Sequence, residues 1–216
     1  MTRGRDLASA HGSEPVIDWV VPPGKTDWLF GTGATRTERW LVWFSVAAST
    51  TALAATAWAS SPGWRWWHPL VLALLLVDLV GGVVANSLGS AKRLYSPLQQ
   101  HLAADLRLRH GWFTVAHVHP FLIAVLFPGG SWEWAAYWYV SCLVGVALVR
   151  AVAVPLQRPV AAGAAAAVLV LGSEVPAPDL LGWVGPVLLL KLVIAHSVTE
   201  APFRPGSGRL APDVTS

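Results

Sequence analysis

The sequence predicts an all-α, polytopic integral membrane protein: a helical bundle with six transmembrane helices and a short cytoplasmic interfacial helix. Its 216 residues are 54% hydrophobic and only 12% charged, whereas soluble domains carry about 25% charged residues. The apolar residues form long runs, as membrane spans do. Basic residues are scattered over termini and connections, which is typical of topology signals and argues against nucleic-acid binding.

The apolar runs define the spans, and polar or helix-breaking residues separate them. Thr35 and Glu38 form a capping-box pattern just before the first run. Pro62-Gly63 ends that run, and Pro155 separates the fourth run from the fifth. The fifth is the weakest prediction because it is short and alanine-rich against the roughly 20 residues that a crossing needs. The predicted spans are about 40–60, 68–89, 112–127, 132–154, 158–172 and 180–198.

Three segments outside the spans complete the predicted organisation. Residues 1–38 are expected to be cytoplasmic and largely irregular, without a cleavable signal peptide. Residues 39–200 form the transmembrane domain, and residues 201–216 form a disordered cytoplasmic tail. Between the second and third spans, Ser96-Pro97 is typical of a helix start. Leucines repeat every four residues after it, which predicts the interfacial helix: Leu98, Leu102 and Leu106.

Lysine and arginine predict the orientation. They cluster in the N-terminal segment, the second and fourth connections and the tail, whereas the other three connections contain only Arg65. Both termini are therefore expected in the cytoplasm of a multi-pass protein of the cell inner or plasma membrane, which requires an even number of spans. Tryptophans near the three outer connections predict an interfacial aromatic belt: Trp58, Trp64, Trp66, Trp67, Trp132, Trp134, Trp138 and Trp183.

Polar side chains inside the spans are the candidate functional residues. Each charged group costs about 2.5–3.5 kcal/mol on insertion scales, so its presence needs a reason. Counting along the helices places these groups in the cytoplasmic half of the bilayer. They come from the second, third and sixth spans: Asp78, Asn86, His117, His119, Lys191, His196 and Glu200.

Helical periodicity predicts which of these residues share a face. Asp78, Gly82 and Asn86 step by four along one helix, as His196 and Glu200 do along another. His117 and His119 are two apart and would diverge on a regular helix. Pro120 disfavours helical geometry at His119, so a local distortion could bring the two histidines together.

The first functional hypothesis is a membrane-embedded enzyme acting on a hydrophobic or lipid-linked small molecule. In one form, a divalent metal such as zinc, iron or manganese is bound by His117, His119, His196 and Glu200. In the other, no metal is needed, and Asp78 or Glu200 transfers a proton with a histidine.

Three alternatives remain open from the sequence. A small-molecule or proton-coupled transporter would use Asp78 and Lys191 as an exchanging ion pair, and it could work as a homodimer. A haem b protein would set His117 or His119 opposite His196. In a purely structural interpretation, Asp78–Lys191 is a buried ion pair and the histidines are interhelical hydrogen-bond partners. The basic residues of the second connection are expected to contact anionic headgroups: Lys92, Arg93, Arg107 and Arg109.

Overall fold

The computed structural model describes residues 16–60, 63–95 and 111–204. Apart from one two-residue β-pair, its regular elements are helical. The helices are α1 (Arg36–Ser60), α2 (His68–Ser87), α3 (Gly89–Tyr95), α4 (His119–Leu126), α5 (Trp132–Ala151), α6 (Val154–Gly172) and α7 (Val184–Leu189). Residues 111–116 are also helical. A π-helix, Leu190–His196, continues α7 directly, and the two together are called the last helix below.

Four of these helices are long and apolar enough to cross a membrane: α1, α2, α5 and α6. Two shorter apolar helical stretches, Gly111–Leu126 and Val184–His196, complete the set among the described residues. The all-helical class is thus confirmed, and the four long apolar helices are consistent with a membrane protein. The predicted interfacial helix around Leu98, Leu102 and Leu106 lies outside the described residues.

The helix boundaries follow the sequence signals, except that the fifth predicted span starts earlier than expected. The predicted capping box forms, because the Glu38 amide donates to Thr35 Oγ1 at 3.2 Å and the Thr35 amide donates to Glu38 Oε2 at 2.7 Å. The fifth predicted span is longer than expected, since α6 starts at Val154 and runs for 19 residues. Pro155 occupies the first turn, where its missing N–H costs no hydrogen bond.

The centre of the bundle lies where α5 packs against the last helix and α6. Trp134 and Trp138 are buried there together with Cys142 and Leu188. The prediction that these two tryptophans belong to an interfacial belt is therefore wrong. They are four residues apart and share the inward face of α5, whereas Trp132 is exposed on the other side.

Glycines allow the tryptophans to fit. A Cβ on Gly185 would overlap the Trp138 ring, and a Cβ on Gly172 would lie 2.8 Å from the same side chain. The last helix and α6 can therefore approach α5 this closely only because these positions carry no side chain. Small residues commonly allow such close packing between membrane helices.

The two ends of the described chain meet at the same end of the bundle. Val16 and Ile17 pair antiparallel with Arg204 and Phe203, and the Asp18 amide donates to the Pro202 carbonyl at 2.9 Å. The N-terminal segment also packs on the α2–α3 junction, where Ser90 Oγ donates to the Phe30 carbonyl at 2.6 Å. The segment is largely irregular, as predicted, but it is attached to the helices.

Substitution of Gly185 by alanine tests the close packing in the centre. We expect Gly185→Ala to lower the free energy of unfolding by about 1–3 kcal/mol, because the added methyl group overlaps Trp138. The matched control is Gly163→Ala in α6, where a Cβ meets nothing within 4 Å. It should be neutral or stabilising because alanine favours helices. Thermal unfolding in detergent measures both, and equal effects would contradict the packing assigned to Gly185.

Candidate functional site

A cavity of about 900 Å³ lies between α2, α4 and the last helix. Most of its wall is apolar, with Leu74 and Leu75 from α2 and Leu122 from α4 among the contributors. The N-terminal segment closes one side with Trp28, whose carbonyl accepts a hydrogen bond from Tyr95 Oη. Five predicted site residues line this cavity: Asp78, Asn86, His119, Lys191 and His196.

An ionisable cluster forms the polar part of the cavity wall. Lys191 Nζ donates to Asp78 Oδ2 at 2.7 Å, and His119 Nε2 lies 3.3 Å from the same oxygen. The Lys191 side chain is only 3% exposed, whereas that of Asp78 is 45% exposed. The carboxylate therefore faces the cavity, and the ammonium lies behind it in the protein.

The predicted stripe along α2 is confirmed, since Asp78, Gly82 and Asn86 all line the cavity. Gly82 has a steric role in this stripe. A Cβ there would lie 2.6 Å from Lys191 Cε, so the lysine reaches Asp78 by crossing α2 over a residue without a side chain.

The third predicted span is not one regular helix, because it is interrupted just before Pro120. The helix of residues 111–116 stops, and α4 begins at His119 with Pro120 in its first turn. The rings of His117 and His119 lie 5.3 Å apart as a result. The expected local distortion is thus present. His119 points to Asp78, whereas His117 Nδ1 contacts the Phe113 carbonyl at 2.6 Å.

The π-helix brings Lys191 and His196 to the same cavity. On a regular α-helix, residues five apart diverge by about 140°. In a π-helix the hydrogen bonds join residues five apart, so such residues lie nearly above one another. The bond from the Ser197 amide to the Leu192 carbonyl, 3.1 Å long, has this spacing. No sequence signal for this element was recognised.

Phe113 is a site residue that the sequence reasoning missed. Its ring stacks on His196 at a centroid distance of 4.1 Å and contacts the His117 ring at 4.4 Å. Phe113 thus touches both histidines that the haem hypothesis set opposite each other. This arrangement does not support a haem held between His117 and His196.

Glu200 lies away from this cavity, which corrects the predicted metal site. The helix ends at His196, so His196 and Glu200 do not share a helical face. Glu200 instead lies 4.0 Å from Lys92 Nζ, with its side chain 41% exposed. Within residues 16–60, 63–95 and 111–204, no three His, Cys, Asp or Glu side chains are grouped to hold a metal. The metal-binding hypothesis for His117, His119, His196 and Glu200 is not supported.

Two basic side chains, buried Lys92 and partly buried Arg150, hold the end of the last helix. Lys92 Nζ donates to the carbonyls of Ala195 and Val198, at 2.5 and 2.7 Å. Arg150 Nη1 donates to the Ser197 carbonyl at 3.2 Å. Cations at a helix C-terminus satisfy its unpaired carbonyls and its dipole. They also position His196.

These contacts correct the expectation that the basic residues of the second connection contact headgroups. Lys92 and Arg93 are both buried in the protein. Arg107 and Arg109 lie outside the described residues. The sequence alone could not distinguish a lysine that contacts lipid headgroups from one that caps a helix inside the protein, because a basic residue just after a span can have either role.

The burial of Lys92 predicts a pH dependence of stability. Burial lowers the pKa of Lys92 from 10.5 to about 8, and this effect outweighs the nearby Glu200 carboxylate, which raises the pKa. Between about pH 8 and pH 10.5 the unfolded chain therefore binds more protons than the folded protein, so stability rises with pH across this window and not below it. The full rise corresponds to roughly 3 kcal/mol.

The measurement compares wild type with Lys92→Met. From about pH 8 upward, the free energy of unfolding of wild type should rise relative to that of Lys92→Met. Lys25→Met, at an exposed lysine, is the control and should run parallel to wild type. If the free energies of unfolding of wild type and Lys92→Met change in parallel with pH, the lowered pKa of Lys92 is contradicted.

Comparisons with known proteins found no match: no protein-family model, no curated protein and no solved structure matches the chain.

Proposed function

We propose that this protein is a membrane-embedded enzyme that acts on a hydrophobic or lipid-linked small molecule by proton transfer at Asp78, assisted by His119 and Lys191. The supporting observation is the half-exposed Asp78 carboxylate on the wall of an apolar cavity, with a buried ammonium 2.7 Å behind it. Clefts of this kind, with a few convergent polar groups, are the usual form of small-molecule sites.

Each member of the cluster has a distinct part in this proposal. Lys191 offsets the cost of keeping a carboxylate charged in a low-dielectric site. His119 Nε2 lies 3.3 Å from the same oxygen, so a proton can pass directly between the two side chains. Both neighbours contact Oδ2, and among the described residues no hydrogen bond or ion pair reaches Oδ1. Oδ1 is therefore the atom proposed to take a proton from the substrate.

The apolar walls indicate the substrate class. Asp78 lies in the middle of α2, and the apolar residues beside it, Leu74 and Val77, line the cavity and are exposed, so the cavity is open along this side of α2. A substrate dissolved in the hydrocarbon of the bilayer could reach such a site from the side. A water-soluble substrate would find few polar partners there.

We further propose six crossings, with both termini in the cytoplasm. The β-pair between residues near the two ends supports an even number, because it requires both flanks at one end of the bundle. The four long helices and the two shorter apolar stretches add up to six candidate crossings among the described residues. The distribution of lysine and arginine then favours the cytoplasm for the paired ends.

Cysteine labelling tests this topology. In a Cys142→Ala background, single cysteines at Lys25, Gly63 and Glu174, all exposed positions, are treated with a membrane-impermeant maleimide. We expect labelling of intact cells at Gly63→Cys and Glu174→Cys, and labelling of Lys25→Cys only after the membrane is opened. Labelling of all three in intact cells, or of Lys25→Cys alone, would contradict the proposed topology.

A proton-coupled transporter is the second candidate, and the ion pair itself favours it. Asp78 and Lys191 join two helices in the interior of the bundle, and such a pair can open when a proton or a substrate replaces one partner. Product formation distinguishes the two functions, because a transporter moves its substrate unchanged.

The test of the enzyme uses the purified protein in lipid nanodiscs with a membrane lipid extract, followed by mass spectrometry. Wild type should convert at least one extracted compound, and His119→Gln, which keeps the ion pair, should slow conversion. The double variant Asp78→Asn/Lys191→Met, which leaves no unpaired charge, should lose about a hundredfold or more in rate, as expected for a general acid or base.

Asp179→Asn, at an exposed aspartate outside the cavity, is the control and should keep full activity. Conversion by the double variant at the wild-type rate would contradict the proposal. Uptake into proteoliposomes without any product would support the transporter instead.

A further inference from the structure

The polar groups on the α2 wall of the cavity lie at two separate places. Asp78 is at one and Asn86 is at the other, with Gly82 between them on the same face of α2. At 1.5 Å per residue the two positions are about 12 Å apart along the helix. Between them the cavity wall carries Gly82 and Ala85, neither of which has a polar side chain. A ligand lying along α2 would thus meet polar partners near its two ends.

Two buried polar atoms beside the cavity have no hydrogen-bond partner among the described residues: Asn86 Nδ2 and His119 Nδ1. Buried polar atoms without partners are rare in native proteins, and they require a specific explanation such as a ligand, a water or a catalytic role. Both belong to side chains that line the cavity, one at each polar end. Each polar end of the cavity thus has a side chain with hydrogen-bonding capacity that the described residues do not use.

The charges of the cavity favour a neutral ligand. The Asp78 carboxylate is already compensated by Lys191 at 2.7 Å. Among the described residues that line the cavity, these two are the only Asp, Glu, Lys or Arg side chains. A charged ligand would therefore have to leave water for an apolar site without an opposite charge of its own, at high cost.

We propose that this cavity binds a neutral, rigid, largely hydrocarbon molecule that carries a hydroxyl at one end and a second polar group about 12 Å away. The first hydroxyl donates to Asp78 Oδ1, and the second group bonds to the Asn86 amide. A hydroxyl suits the second place because it can donate as well as accept. The inference rests on the proposed function in taking the cavity as the substrate site, and it names the substrate class.

The volume is compatible with such a ligand. Small-molecule sites typically occupy about 300–1,000 Å³, and this cavity holds about 900 Å³. A fused-ring alcohol fits that range. Its flat apolar body would contact Leu74, Leu122 and the Phe113 ring, which all line the cavity.

Three probes with one skeleton test the two-point recognition. They are androstane, an androstanol with one terminal hydroxyl, and an androstanediol with a hydroxyl at each end. Binding to the full-length protein in nanodiscs is measured by the shift of the thermal unfolding midpoint with probe concentration. We expect the diol to bind about tenfold more tightly than the mono-ol and the hydrocarbon to bind most weakly.

The variants assign each hydroxyl to its partner. Asn86→Leu keeps the ion pair and should remove the advantage of the diol over the mono-ol, a loss of about tenfold. Asp78→Asn/Lys191→Met should weaken both alcohols without weakening androstane. Ser87→Ala is the matched control next to Asn86, since the Ser87 hydroxyl is exposed and, among the described residues, bonds only to the Val83 carbonyl of its own helix. It should bind all three probes as wild type does.

The outcomes separate this inference from the proposed function. Equal binding of the three probes, or an unchanged preference for the diol in Asn86→Leu, would overturn the inference even if the protein converts a lipid. Two-point binding that depends on Asp78 and Asn86, with no conversion of any extracted compound, would support the inference and reject the enzyme.

Discussion

The ion pair between Asp78 and Lys191 joins α2 to the last helix in the interior of the bundle. A lone carboxylate or ammonium there would cost several kcal/mol, so each group requires the other. The pair also explains its surroundings. Gly82 lacks a side chain because Lys191 crosses α2 at that position. The ammonium is buried and the carboxylate is half exposed, which leaves a carboxylate available in a mostly apolar cavity.

Two irregular stretches of helix surround this pair and bring the other site residues to it. The interruption before Pro120 starts α4 at His119, whose ring then reaches Asp78. The π-helix sets Lys191 and His196 on nearly the same side of the last helix. Single π-turns are frequent at functional sites, because their weaker packing is kept only where it has a use. Asp78 itself lies on a regular helix, α2, and the irregular stretches bring His119 and Lys191 to it.

The end of the last helix is held by side chains that do not themselves line the cavity. Lys92, Arg150 and Gln157 bond to residues 195–199, each from a different part of the chain. The N-terminal segment packs beside them and supplies Trp28 to the cavity wall. The cavity is therefore shaped both by the spans and by the segments that flank them. Hydrophobicity alone explains the spans but not this arrangement.

The sequence by itself determined the helical membrane class, the capping box at Thr35 and the polar stripe Asp78, Gly82 and Asn86, because these depend on composition and on local periodicity. The sequence also offered the Asp78–Lys191 ion pair as an alternative, and the structure contains it. Only the tertiary structure decided that His119 meets Asp78, that Glu200 turns away and that Trp134 is buried. Those outcomes depend on helix geometry that departs from 3.6 residues per turn, and on contacts between residues distant in the chain. Neither leaves a periodic trace in a single sequence.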